Sequence, residues 1–174
     1  RVKRAVKRLV NDLQEIQKNP LTNVTAQPLD EDLFEWHCCI QSPRDSIYGG
    51  IIFHIILQFP ETYPFQPPTL YLCSFLKHDN VFGSWVCLDM LEEAEWSGEE
   101  ANKPYTGWSS AYSVNSILLQ LQSFLFDKAH TDSASISKAM KSAKQFNCKT
   151  CGHSGAGQCW PSFAATPVPK NNSK

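Results

Sequence analysis

The chain has no apolar run long enough to cross a bilayer as a helix. Its most apolar stretch, Gly49 to Phe59, is interrupted by His54 and Gln58 and falls well short of the ~20 residues a helical span needs, so a membrane role is not expected. Charge of one sign is missing as well. Lys and Arg number 16 against 17 Asp and Glu, which removes bulk attraction to nucleic acid and confines electrostatic recognition to local patches. No charged, apolar and small-residue succession marks a secretion signal, and the first residue is Arg1, so the sequence reads as a piece of a longer polypeptide. An even cysteine framework is also lacking. There are 7 cysteines, and Cys38 and Cys39 are adjacent within an apolar strand pattern, which argues against secreted disulfides and for a reducing cytoplasmic or nuclear setting.

What is present suits one compact domain with a tail: 174 residues, of which 42% are hydrophobic, enough to bury a sizeable core. Val2, Ala5, Leu9, Val10, Leu13 and Ile16 recur at helical steps until Asn19-Pro20 stops them. The other face of this helix is basic. Arg1, Lys3, Arg4, Lys7 and Arg8 crowd the end where the helix dipole is already positive, either as a solvated face or as a surface for an acidic partner. From Leu33 the period changes to two, with Phe34, Trp36, Cys38 and Ile40 on one face and Glu35 and His37 on the other. A second strand alternates through Ile51, Phe53, Ile55, Leu57 and Phe59, and a third runs from Thr69 to Cys73. The connections are too short for helical crossovers, so the strands are expected to be antiparallel. Between them, the prolines of Tyr63-Pro64-Phe65-Gln66-Pro67-Pro68 force a rigid extended loop that holds Phe65 at the surface. A long irregular stretch from residue 74 to about Ser113 marks the place to look for chemistry. Two helical patterns follow, through Val114, Ile117, Leu118, Leu121 and Leu125 and through Ile136, Ala139, Met140, Ala143 and Phe146.

This order, together with three motifs, resembles the ubiquitin-conjugating enzyme family. The proline loop is similar to the family's Tyr-Pro-Phe-x-Pro-Pro element. Val86-Cys87-Leu88-Asp89-Met90-Leu91 resembles its active-site run, and Trp108-Ser109-Ser110-Ala111 resembles its Trp-Ser-Pro-Ala loop. The resemblance covers about residues 1 to 146. It implies an α/β (α+β) fold of the ubiquitin-conjugating type, with an N-terminal helix, a four-stranded antiparallel meander, an active-site loop and two or more C-terminal helices. It also implies that Cys87 carries ubiquitin or a ubiquitin-like modifier as a thioester, received from an activating enzyme and passed to a protein lysine or to a ligase. No cofactor is implied for this catalysis, because sulfur is itself a competent acyl leaving group. Cys38, Cys39 and Cys73 lie in strand patterns and read as small core residues.

The resemblance assigns further roles. His78-Asp79-Asn80 is similar to the family's His-Pro-Asn element, which gives Asn80 an oxyanion-donating or loop-bracing role and leaves His78 a structural hydrogen-bonding one. Asp79 stands where the family has proline, and Asn80 lies one residue closer to the cysteine than usual, so the loop is expected to be re-threaded. Asp132 matches the acidic position that orients the incoming lysine, and it is equally placed to cap the helix that begins near Ser133. Arg4, Lys7 and Arg8 fall on the activating-enzyme surface, and Phe65, Ser110 and Ala111 on the ligase surface. Between Leu91 and Trp108 the chain carries an acidic insertion with Glu92, Glu93, Glu95, Glu99 and Glu100. It either attracts a basic partner or is simply solvated, and its charge raises the Cys87 thiol pKa.

The tail offers Cys148, Cys151, His153 and Cys159 as a candidate zinc set, with Cys-x-x-Cys spacing on one side. A packed cysteine tail, or half a site completed by other chain, are the alternatives. Trp160 and Phe163 suggest that this segment docks on something. The expected organisation is therefore a catalytic domain over 1–146, a Cys/His-containing tail over 147–163 and a disordered end over 164–174. The rival to an enzyme is a non-catalytic domain of the same fold that binds ubiquitin without transferring it. A cysteine hydrolase pairing Cys87 with His78 or His130 is a second rival.

Overall fold

The computed structural model describes residues 2–92, 107–126 and 132–163. Helix α1 (Val2–Lys18) leads into a sheet that, among the described residues, runs in the order β1-β2-β3-β4-β6-β5. Strands β1 (Val24–Leu29), β2 (Asp32–Gln41), β3 (Ile52–Gln58) and β4 (Thr69–Leu72) form the expected antiparallel meander. β5 (Val81–Phe82) and β6 (Trp85–Val86) make a short hairpin whose second strand pairs with β4 at Tyr71 and Trp85. A 3-10 turn (Asp89–Leu91), α2 (Val114–Leu125) and α3 (Ser133–Gln145) complete the fold. No helix of the described residues is long and apolar enough to cross a membrane.

The alternation read in the sequence sets the core. The cross-strand pairs Trp36 with Leu57, Cys38 with Ile55 and Ile40 with Phe53 share one face. All of them are buried, together with Leu9 of α1 and Val114, Ile117, Leu118, Leu121 and Leu125 of α2. Each large apolar side chain so buried contributes roughly 1.5–3 kcal/mol. Helix α2 starts where it does because Ser113 accepts from Ser116 N–H while Ser116 Oγ accepts from Ser113 N–H, a reciprocal cap.

Three features depart from the sequence expectation. β1 carries no strong alternation and contains Pro28, which is tolerated because this edge strand pairs on one side only. The hairpin β5/β6 is two residues per arm, too short for any periodicity, and turns at Gly83 with φ 67°. In α1 the buried residues are Ala5, Leu9 and Asp12, whereas Val2 and Val10 are exposed, so an acid replaces an aliphatic in the buried stripe.

The tail does not trail away. Residues of the opposite sheet face, His37 and Cys39 of β2 and His54 of β3, are fully or almost fully buried. Cys39 Sγ lies 3.4 Å from His153 Nδ1 and 3.3 Å from Trp160 O, Thr25 Oγ1 donates to Ser162 O at 3.3 Å, and the His54 ring stacks on His153 with centroids 4.3 Å apart. Trp160 and Phe163 lead to the expectation that the segment docks on something, and the described tail lies against the sheet. The expected disordered end at 164–174 lies outside the described residues. Gly155 donates its N–H to Phe146 O at 2.8 Å, and a Cβ there would stand 1.9 Å from Ala143 O. Replacing Gly155 with Ala should therefore lift the tail off the end of α3 at a cost of about 1–3 kcal/mol. At Gly157 a Cβ meets only Ser154 side-chain atoms, the nearer at 3.4 Å. Amide exchange over residues 148–160 should accelerate in Gly155→Ala and change little in Gly157→Ala.

Candidate functional site

The hairpin delivers Cys87. With β6 pairing to β4, Val86 is buried and pins the strand, and the next residue emerges partly exposed at its end. Cys87 lines a cleft of about 250 Å³ with Pro67, Pro68, Trp85, Leu91 and Glu92 among its walls. One wall is therefore the rigid proline loop. Cys87 N–H donates to Asn80 O at 2.8 Å, and Asn80 Nδ2 donates to Cys87 O at 3.2 Å. The segment between Asn80 and Cys87 forms the β5/β6 hairpin, and the Asn80 amide braces the backbone that carries the thiol. His78 is structural as expected: its Nδ1 accepts from Asn80 N–H at 3.1 Å.

The first glutamate of the acidic insertion reaches the sulfur. Cys87 Sγ lies 3.5 Å from Glu92 Oε1, close enough to donate its proton. Burial, then the Glu92 carboxylate and Asp89, push the Cys87 thiol above its ordinary value. The resting group is therefore a thiol. Glu93, Glu95, Glu99 and Glu100 lie outside the described residues.

A buried network frames the cleft from the far side. Asp12 Oδ1 accepts from Arg8 Nε at 2.9 Å, and Asp12 Oδ2 accepts from Tyr63 OH at 2.6 Å. Burial raises the Asp12 carboxyl pKa despite the opposing pull of Tyr63 and Arg8, and burial followed by Asp12 raises that of the Tyr63 phenol. The rest of the Arg8 fork donates to Ser110 O and Tyr112 O, both at 2.6 Å. Trp108 N–H donates to Glu92 O at 2.7 Å, and Trp108 Nε1 donates to Pro64 O at 2.8 Å. The proline loop, the Trp108 loop and the cysteine loop are thus tied together, with α1 as the anchor.

This geometry changes the assignment of Arg8. Sequence placed it on an outward surface with Arg4 and Lys7, but its guanidinium is turned inward, because five N–H donors on one fork can serve a carboxylate and two carbonyls together. Arg4 and Lys7 remain exposed, with Arg4 over the Phe65 ring at 5.1 Å. Phe65, 60% exposed, stands at the surface with Ser110 and Ala111. Asp12 carried a signal that was passed over: an acid at helical spacing from Ala5 and Leu9, four residues after an arginine.

Asp132 caps α3. Its carboxylate accepts from Ser135 N–H at 2.9 Å, from Ser135 Oγ at 2.8 Å and from Lys77 Nζ at 3.0 Å. These bonds, the Ser135 N–H first, hold its carboxyl below the usual range. Its stabilising contribution is therefore present at neutral pH and lost as pH falls through the aspartate range and below. The preceding residues Lys128, Ala129, His130 and Thr131 lie outside the described residues.

The tail residues do not converge as the sequence suggested. Cys148 and Cys151 turn toward His37 and His54, whereas Cys159 lies against Cys39 and donates to Pro161 O at 3.2 Å. His153 joins Cys39 and His54 instead. The quartet Cys148, Cys151, His153 and Cys159 is therefore divided, the first two grouping with His37 and His54 and the last two lying beside Cys39. Cys38 is a core residue as expected. Cys39 is equally buried, but on the opposite sheet face under the tail, with its Sγ 3.4 Å from both His54 Nδ1 and His153 Nδ1. Cys73 is half-buried.

Two outcomes follow. Glu92→Gln should shift the pH dependence of Cys87 alkylation to lower pH and quicken it at neutral pH, because an acceptor that stabilises the thiol and repels the thiolate is gone. Asp12→Ala leaves the Tyr63 hydroxyl and part of the Arg8 fork unpaired. It should lower the unfolding free energy by about 2–3 kcal/mol in denaturant titrations, with Asp12→Asn retaining part of the loss.

The family model of the ubiquitin-conjugating enzyme matches residues 8–150. Among solved structures, human ubiquitin-conjugating enzyme E2 G1 superposes with a TM-score of 0.61 at 29% sequence identity, covering 73% of this chain and 98% of that one. Cys87 lies on its braced loop inside the matched span, and with the fold and the family model agreeing, the chain belongs to the ubiquitin-conjugating enzyme family.

Proposed function

We propose that the chain is a working conjugating enzyme, in which Cys87 takes the C-terminal acyl group of ubiquitin or a similar modifier from an activating enzyme and yields it to a lysine amine or to a ligase. The observation that carries this reading is a partly exposed thiol in a cleft, on a loop braced by Asn80 from both sides.

In the loading step Cys87 gives up its proton and Sγ attacks the carbonyl carbon of the incoming thioester. The new carbon–sulfur bond forms as the old one breaks, and the activating enzyme's sulfur departs as a thiolate that takes up a proton. In the discharge step an amine nitrogen attacks, the carbon–sulfur bond at Cys87 breaks, and the ammonium proton passes to solvent or to the leaving sulfur. Nothing is oxidised or reduced. A raised thiol pKa is compatible with this chemistry, because only the reacting thiol must lose its proton and a basic thiolate is a strong nucleophile. Asn80, donating to the Cys87 carbonyl, holds the loop still during both steps. Asp132, ionised at neutral pH, supplies negative charge that favours an approaching lysine cation.

The partners follow from the surfaces. Arg4 and Lys7 present cations for the activating enzyme. Arg8 acts indirectly by fixing the loop that bears Ser110 and Ala111. These two residues, with Phe65 as an exposed aromatic anchor, form the ligase surface. The acidic insertion beginning at Glu92 favours basic partners, and the proposed setting is cytoplasmic or nuclear.

Incubation with activating enzyme, ATP and ubiquitin, followed by electrophoresis with and without thiol, tests the reading. A thiol-sensitive adduct should form with the wild-type chain and be absent from Cys87→Ala. Failure of the folded wild-type chain to charge with any of several modifiers, or an adduct that persists in Cys87→Ala, would overturn it in favour of a binding domain or another site. Phe65→Ala should leave charging intact and slow ligase-dependent discharge by tenfold or more.

A further inference from the structure

The face of the sheet turned away from the core holds a cluster that acyl transfer does not use. On β2, Glu35 and His37 point outward, and His54 lies beside them on β3. Over them the tail lays the segment Cys148-Lys149-Thr150-Cys151. His37 Nδ1, His54 Nε2, Cys148 Sγ and Cys151 Sγ all lie within 4.8 Å of one another. Individual separations are 2.9 Å between His37 Nδ1 and His54 Nε2, 3.7 Å between Cys148 Sγ and His37 Nδ1, and 3.6 Å between Cys151 Sγ and His54 Nε2. A tetrahedral zinc ion with Zn–N near 2.0–2.1 Å and Zn–S near 2.3 Å places its ligands about 3.3 Å (N to N), 3.6 Å (N to S) and 3.8 Å (S to S) apart. The two nitrogen–sulfur separations, Cys148 to His37 and Cys151 to His54, match that requirement, the two nitrogens stand a few tenths of an ångström too close, and the remaining pairs lie within 4.8 Å.

We propose that His37, His54, Cys148 and Cys151 form a structural zinc site that fastens the C-terminal tail to the outer face of the sheet.

The surrounding hydrogen bonds prepare both imidazoles for this task. His37 Nε2 is 3.0 Å from Glu35 Oε1, whose partner oxygen Oε2 accepts from Gln58 Nε2 at 3.2 Å. Placing the His37 proton on Nε2 leaves the Nδ1 lone pair directed at the cluster, the carboxylate–histidine–metal arrangement that orients zinc ligands. His54 Nδ1 lies 3.4 Å from Cys39 Sγ. Donation to that sulfur frees the Nε2 lone pair. Two lone pairs then face each other at 2.9 Å, a repulsive arrangement that a shared cation relieves. Without one, His54 must move its proton to Nε2.

The tail half of the site is equally formed. Gly152 has φ 77° and donates its N–H to Cys148 O at 3.1 Å, and Cys148 N–H donates to His153 O at 2.9 Å. This tight turn brings both thiols of the Cys-x-x-Cys unit to one point. Four protein ligands, three of them buried, leave no open position for substrate, which is the mark of a structural ion rather than a catalytic one. The neighbouring group Cys39, His54 and His153 is the weaker candidate. It supplies three ligands, His153 Nδ1 already accepts from Trp160 N–H at 3.3 Å, and His54 can offer only one lone pair as a neutral ring. Cys39 therefore supports His54 rather than binding the ion.

The test uses the full chain, purified without chelator and measured for metal. One zinc per chain is expected. Cys148→Ser, Cys151→Ser, His37→Asn and His54→Asn should each lose it, while Cys159→Ser and Cys87→Ala keep it. Glu35→Gln should retain the site with roughly 10–100-fold weaker affinity in chelator competition. Because a ligand variant can lose metal simply by misfolding, cobalt(II) is added to the wild-type chain stripped of metal: intense tetrahedral d–d bands with thiolate charge-transfer absorption support the site. Zinc should also protect Cys148 and Cys151 from alkylation and raise the melting temperature reversibly. Less than 0.1 zinc per chain together with no tetrahedral cobalt spectrum overturns the proposal. So does zinc that survives both histidine substitutions, or that disappears in Cys159→Ser, since either result moves the ion to a different ligand set.

Discussion

A buried carboxylate, Asp12, holds the Cys87 end of this fold together. Removed from water inside α1, it is stable only because Arg8 and Tyr63 both donate to it, and a buried charge without partners is costly. Satisfying Asp12 therefore commits the rest. Tyr63 fixes the start of the proline loop, while Arg8 spends its remaining donors on Ser110 O and Tyr112 O. Trp108 carries the connection on to Pro64 and to Glu92, and Glu92 meets the Cys87 thiol. Helix α1 thus reaches the Cys87 thiol through a chain of hydrogen bonds. The surface residues proposed for the ligase and the cleft at Cys87 sit on one braced unit.

The cysteines are sorted by surroundings rather than by type. Cys38 faces the core, where burial raises its thiol pKa strongly and leaves it inert. Cys87 stands partly exposed beside a carboxylate, protonated at rest yet reachable. Cys148 and Cys151 are turned to two histidines on the outer sheet face. Burial first, then His153 and His37, bring His54 down to about 3, so its imidazole is neutral under physiological conditions. The surroundings of the two thiol groups thus differ in kind: a carboxylate, Glu92, faces Cys87, whereas imidazole nitrogens face Cys148 and Cys151.

Much of this was legible without coordinates. Alternation through Phe53, Ile55 and Leu57 set the core face of β3, and the proline loop put Phe65 outside. The run around Cys87 pointed to the thiol that lines the cleft. Asn80 was found as well, although its role as a brace required seeing its amide on the Cys87 carbonyl. Strand β1 and the β5/β6 hairpin escaped because an edge strand containing Pro28 and a hairpin with two residues per arm carry too few positions for a period to register.

The residues misplaced by sequence alone share a physical cause. Arg8 read as an outward cation, and nothing local in His37 or Cys39 announced the tail above them, since periodicity says which side chains share a face but not what covers that face. Here the polar face of β2 is roofed by a tail more than a hundred residues away, and the basic face of α1 meets the loop after Trp108. Local pattern determined the longer strands, the helices and the exposed proline loop, because those depend on neighbours in sequence. Which charges are paired, and which histidines meet the tail cysteines, was decided only by tertiary structure, because burial and hydrogen-bond partners arise when distant segments close over one another.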